Sequence, residues 1–159
     1  MGIFKEYCCW RCGYKFTAFL GAGLSFPRLV FKRFEEMRTG RLGEEAKRFT
    51  EEHPDGWADC NKLLMRCVKC GEYDCRESLA MYVPKKSHAR EFPERIWPKL
   101  ARFMRILFGD PEKHCTKYAD YRHKCKKCGG DMRTVSSRRI IRCPRCGFWM
   151  RRVDWGLWD

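Results

Sequence analysis

No apolar run in this chain approaches the roughly 20 residues that a membrane-crossing helix needs. The most apolar early stretch, FTAFLGAGL at residues 16–24, is much shorter and is interrupted by two glycines. The opening MGIFKEYCCWRCGYKF shows no basic segment leading into an apolar one with a small-residue cleavage site, so a cytoplasmic, reducing location is expected. The glycines of GAGLS at 21–25 have neither the G-x-G-x-x-G spacing of a dinucleotide loop nor the G-K-[ST] of a P-loop, and read as a turn into a helix. Neither H-E-x-x-H nor an H-x-E paired with P-C-x-x-C occurs, which removes the usual zinc hydrolase and deaminase signatures. Acidic residues are scarce in one region: residues 121–152 carry 11 Lys and Arg against one acidic residue, in a chain with 34 and 20 overall.

Cysteine, by contrast, is abundant, with 12 in 159 residues. In a reducing compartment clustered cysteines bind metal more often than they pair with one another. Eight of them form four C-x-x-C pairs, Cys9/Cys12, Cys67/Cys70, Cys125/Cys128 and Cys143/Cys146, each followed by glycine. A C-x-x-C turn around a metal aims backbone N–H groups at the sulfurs and often needs a positive φ just after the second Cys, which glycine supplies cheaply. Two such turns complete one tetrahedral four-thiolate shell, so two sites are expected, for Zn²⁺ or, in the same geometry, for Fe. The 14 residues between Cys128 and Cys143 suit two short strands, so the last two pairs are expected to form a zinc ribbon. Elimination then joins Cys9/Cys12 to Cys67/Cys70 across 54 residues, a separation that loop entropy tolerates.

Four-cysteine shells are closed to water, so no enzymatic role is expected. Cys8, Cys60, Cys75 and Cys115 are left over and read as small hydrophobes, with Cys75 near enough to Cys70 to be an alternative ligand. His123 is expected as a strand side chain beside the second site. Eight thiolates around two divalent ions would lower the formal charge of +14 to about +10, still strongly basic.

The expected fold class is α+β: two zinc ribbons, the first with a two-helix insertion, joined by an irregular and helical connection. SFPRLVFKRFEEMRTG and LGEEAKRFTEEHPDG carry helical periodicity and stop at Gly40 and Pro54. ADCNKLLMRC reads as a strand entering the Cys67 turn, and SLAMYVP as its return strand. The expected units are residues 1–83, an N-terminal ribbon with the helical hairpin; 84–118, a linker and the amphipathic helix KLARFMRILFG; and 119–159, the C-terminal ribbon.

Taken in order, CWRCGYKF, LGAG, EEHPDG, RCVKCG, KYADYRHKCKKCGG and RCPRCG resemble small bacterial zinc-ribbon proteins of unknown function. The resemblance covers most of the chain and implies two structural metal sites. CPRCG with CKKCG upstream is also similar to the knuckles of rubredoxins, which implies iron as the alternative metal and an iron redox protein as a further functional alternative. Ribbons of this kind recur in ribosomal proteins, transcription factors and polymerase subunits, so the likeness bears on fold more than on function.

A nucleic acid or ribonucleoprotein partner is expected for the basic C-terminal region. Phosphate contacts would come from Lys124, Lys126, Lys127, Arg133, Arg138, Arg139, Arg142, Arg145, Arg151 and Arg152, with Phe148, Trp149 and Trp155 as stacking surfaces. The alternative is a protein partner held by the aromatic tail FWMRRVDWGLWD, since Trp and Arg are favoured at binding hot spots.

Overall fold

The computed structural model describes residues 2–23, 26–85, 115–137 and 140–158. Most of the expected linker and all of the expected amphipathic helix (86–114), together with Arg138 and Arg139, lie outside the described residues. The described chain is mostly β. Its strands are β1 (Gly2–Cys8), β2 (Lys15–Leu20), β3 (Trp57–Ala58), β4 (Lys62–Cys67), β5 (Tyr73–Glu77), β6 (Met81–Pro84), β7 (Cys115–Ala119), β8 (Met132–Thr134), β9 (Ile141–Arg142) and β10 (Trp149–Trp158), with helices α1 (Phe26–Arg38) and α2 (Glu44–Glu52) between β2 and β3. They form three sheets, ordered β2-β1-β10-β9, β3-β6-β7 and β5-β4-β8.

Both helices fall where their periodicity places them. At the end of α1 the Gly40 N–H reaches the Met37 carbonyl and the Arg41 N–H the Glu36 carbonyl, with Gly40 at φ 77°, a left-handed stop that glycine adopts without strain. The helical hairpin buries Val30, Met37, Ala46 and Phe49 against Ala58, Cys60, Leu79 and Met81, so one core lies between the helices and the β3-β6-β7 sheet. Arg33 ties α1 to β5 through an ion pair with Glu77.

A second core lies between the other two sheets. Tyr7, Ala18, Ile141 and Met150 meet Leu64 and Tyr73 there. A ladder of rings crosses it: Tyr7 stacks on Phe16, and Phe16 on Tyr73, both with centroids 5.2 Å apart. The Tyr73 hydroxyl oxygen accepts the Arg142 N–H at 3.3 Å, fixing one sheet against the other.

The strand pairing departs from the sequence reading in three places. The return strand of β4 is β5, while β6, within the expected SLAMYVP strand, pairs with β3 and β7. Of the two short strands expected between Cys128 and Cys143, the first, β8, pairs with β4 rather than with the second, β9. The tail strand β10 pairs with β1 from Gly2↔Trp158 to Cys8↔Arg151, with a bulge between Glu6 and Tyr7. Consequently β1 and β10 form the middle of a four-stranded sheet that brings the two ends of the described chain together.

Candidate metal centre

The β1–β2 and β9–β10 hairpins each end in a C-x-x-C turn, and because β1 and β10 are neighbours the two turns face each other. Cys9, Cys12, Cys143 and Cys146 therefore form one cluster, called outer here. The β4–β5 turn faces the turn preceding β8 in the same way, and Cys67, Cys70, Cys125 and Cys128 form the inner cluster. All eight expected cysteines are brought together, but the pairing differs from the expected one. Cys9/Cys12 close on Cys143/Cys146 rather than on Cys67/Cys70, and Cys125/Cys128 take the latter. The physical reason is that loop entropy grows only logarithmically, by about 0.6 kcal/mol per doubling, so sequence proximity is a weak guide. Seven register pairs between β1 and β10 outweigh it.

The four turns share one backbone design. The N–H of each first cysteine donates to the carbonyl five residues on: Cys9 to Tyr14, Cys67 to Glu72, Cys125 to Gly130 and Cys143 to Phe148, at 2.7–2.8 Å. The glycine after each second cysteine donates back to the first cysteine's carbonyl, at 2.8–3.1 Å, with φ of 71° at Gly13, 74° at Gly71, 69° at Gly129 and 71° at Gly147. In each turn the first cysteine is buried and the second lies nearer the surface.

Within each cluster the sulfurs lie within 4.8 Å of one another. The cross-turn approaches are 3.5 Å for Cys9–Cys146 and for Cys12–Cys143, 3.4 Å for Cys67–Cys128 and 3.7 Å for Cys70–Cys125. Four sulfurs at a Zn–S distance near 2.3 Å would be separated by about 3.8 Å, so both clusters fit a tetrahedral ion such as Zn²⁺. The protonation chemistry agrees. Burial opposes ionisation of Cys9, but the N–H groups of Cys12 and Arg11 and the Cys146 thiol bring it down to about 7. The Cys70 N–H leads in lowering Cys67 to about 6. Despite a favourable backbone N–H from Tyr14 and from Glu72 respectively, burial and neighbouring sulfurs push Cys12 and Cys70 up to about 12. In each of these two turns one thiol ionises more readily than its partner, and a bound dication would favour the thiolate form of both.

The remaining cysteines stay out of both clusters. Cys60 and Cys115 are buried, and Cys75 and Cys8 are half-buried. His123 is 6% exposed, with its imidazole Nε2 3.3 Å from the Ser78 carbonyl and its ring against Tyr121, and is no ligand.

The expected binding residues divide between the two clusters. Around the inner one, Lys124 pairs with Asp131 at 2.6 Å, Lys127 with Glu72 at 2.9 Å, and Lys126 lies 3.9 Å from Asp74. Arg133 is exposed on β8. Around the outer cluster the cations meet rings: Arg142 lies 4.2 Å from the Trp149 centroid, Arg145 5.2 Å from Tyr14 and Arg11 5.6 Å from Phe148. Beside them opens a cavity of about 740 Å³ whose lining includes Trp10, Trp149, Arg151, Arg152, Tyr7 and Ile140, with no carboxylate among the described residues. Trp10 is 81% exposed and Trp149 45%. Trp10 was not singled out from the sequence, although an exposed aromatic between the two cysteines of CWRC, where a structural turn needs no ring, was a readable signal.

No protein-family model matches the chain, and neither a curated protein nor a solved structure matches it.

Proposed function

We propose that the chain is a non-catalytic zinc-ribbon protein whose outer metal cluster presents a groove for single-stranded nucleic acid. The observation that carries the reading is the groove itself: two exposed tryptophans beside Arg151 and Arg152, with no lining acid among the described residues. Aromatic faces stack on unpaired bases regardless of sequence, and arginines follow the phosphates. The metal ions are structural, because four thiolates leave no position for water. Zn²⁺ is the metal assigned to both clusters, and an iron-loaded protein would be distinguished by its visible absorption. The cytoplasmic location belongs to the same reading.

The test is titration of the zinc-loaded protein with a fluorescent single-stranded oligonucleotide at several salt concentrations. Log affinity is expected to fall linearly with log salt. Trp10→Ala and Trp149→Ala should each weaken binding by about 1–3 kcal/mol with the fold intact. A duplex bound as tightly as the single strand would contradict stacking, and no binding at low salt would remove the reading.

A second reading is a protein partner. Trp155 and Leu157 are each 62% exposed on β10, with Ile3 at 40% across from Leu157 on β1. A partner seated there would lose affinity on Trp155→Ala and be indifferent to Trp10→Ala.

A further inference from the structure

Each C-x-x-C turn sends one side chain toward the space between the two clusters. Tyr14, whose carbonyl caps Cys9, donates its hydroxyl to Glu72 Oε1 at 2.8 Å. Glu72 holds the matching place in the second turn, its carbonyl capping Cys67. Its other oxygen accepts from Lys127, which lies between Cys125 and Cys128, at 2.9 Å. Arg145, between Cys143 and Cys146, lies over the Tyr14 ring at 5.2 Å. Arg145, Tyr14, Glu72 and Lys127 thus form an unbroken chain with one member from every turn, two from the outer cluster and two from the inner. Fixing either turn by metal positions its half of this chain.

We propose that the two clusters load cooperatively, each ion raising the affinity of the other cluster for a second thiophilic divalent ion through the Arg145–Tyr14–Glu72–Lys127 relay. Ordering the Cys9–Tyr14 turn with the first ion places the phenol where Glu72 needs it, so less conformational freedom remains to be lost at the second site. The coupling is reciprocal, as binding linkage requires. Charge acts in the opposite direction, and the relay moderates it, because two loaded clusters of like charge repel. A divalent ion in four thiolates carries two net negative charges, and the relay places one cation, Arg145 or Lys127, within a turn of each cluster.

The experiment is native mass spectrometry of the metal-free full chain after addition of one molar equivalent of Zn²⁺. Independent, equal sites would put about half of the molecules in the one-metal form, and coupling of at least about fivefold would deplete it in favour of empty and doubly loaded protein. Tyr14→Phe keeps the ring beneath Arg145 and removes the hydroxyl, so the one-metal form should rise toward the independent value while excess Zn²⁺ still loads two ions. Should Tyr14→Phe fail to reach two ions at excess metal, Glu72→Ala, which removes the relay at its centre, carries the same readout. A wild-type one-metal fraction at or above the independent value, or a two-ion variant with an unchanged distribution, overturns the proposal.

Discussion

The outer and inner clusters repeat one backbone turn and surround it with opposite chemistry. Around Cys67, Cys70, Cys125 and Cys128, lysines pair with Glu72, Asp74 and Asp131. Around Cys9, Cys12, Cys143 and Cys146, arginines lie over Tyr14, Phe148 and Trp149, and the Arg142 guanidinium also donates to the Gly147 carbonyl at 3.3 Å. The position five residues after the first cysteine shows the same divide. In the later turn of each cluster it is Phe148 in the outer one, where the ring meets Trp10 at 5.9 Å, and Gly130 in the inner one, where an added Cβ would stand 2.9 Å from Lys69 Cβ and 3.2 Å from Cys67 Sγ. The inner cluster is closely packed against itself. The outer one keeps its rings at the surface.

Removing one ligand from each cluster should give the largest effects and the sharpest contrast. Structural zinc sites contribute on the order of 10 kcal/mol to small folds. Cys143→Ser should therefore abolish amide protection in β1 and β10 while β4 and β5 keep theirs, as read by hydrogen exchange. Equal loss in all four strands would mean that the two clusters form one unit. Gly130→Ala comes next: overpacking costs about 1–3 kcal/mol and should fall on the inner cluster, weakening its zinc affinity in a chelator competition more than that of the outer one, which loses only the coupled part. An outer cluster weakened to the same degree would show that the close packing is shared.

A smaller effect separates binding from stability. Trp10→Ala should change the melting free energy by under about 0.5 kcal/mol, as for other exposed positions, yet cost oligonucleotide affinity. A large loss of stability would place the ring in the core instead. Smallest of all, Lys126→Ala and Lys124→Ala at the inner cluster should leave the salt dependence of binding nearly as it was, whereas Arg151→Ala should reduce its slope by about 0.7 for a single strand. An equal reduction from the lysines would extend the binding face across both clusters.

The ligands were legible because their signal is local: two sulfurs three apart and a glycine that must reach positive φ. Both helices were legible for the same reason, through periodicity ended at Gly40 and Pro54. Pairing was not, since it depends on which distant strands meet. GIFKEYC and WMRRVDWGLW show little alternation, and the second, rich in tryptophan and arginine, reads as a surface anchor although it forms an inner strand of a sheet. YDCRE looks like turn sequence because three of its five residues are charged, yet it buries Tyr73 on the core and half-buries Cys75. Nor is the Tyr14–Glu72 contact visible without knowing that their turns face each other.

The order of the four turns along the chain, outer, inner, inner, outer, also sets a sequence in time. During synthesis the inner cluster has all its cysteines once Cys128 has emerged, while Cys9 and Cys12 must wait for Cys143 and Cys146. Once the inner turns are joined, only the flanking stretches of 54 and 14 residues separate the outer ones, instead of the full 130, which lowers the entropy still to be lost by roughly 0.6 kcal/mol for each halving. Loop entropy therefore favours folding from the inside outward, an order in which the groove, whose walls stand on the outer turns, forms last.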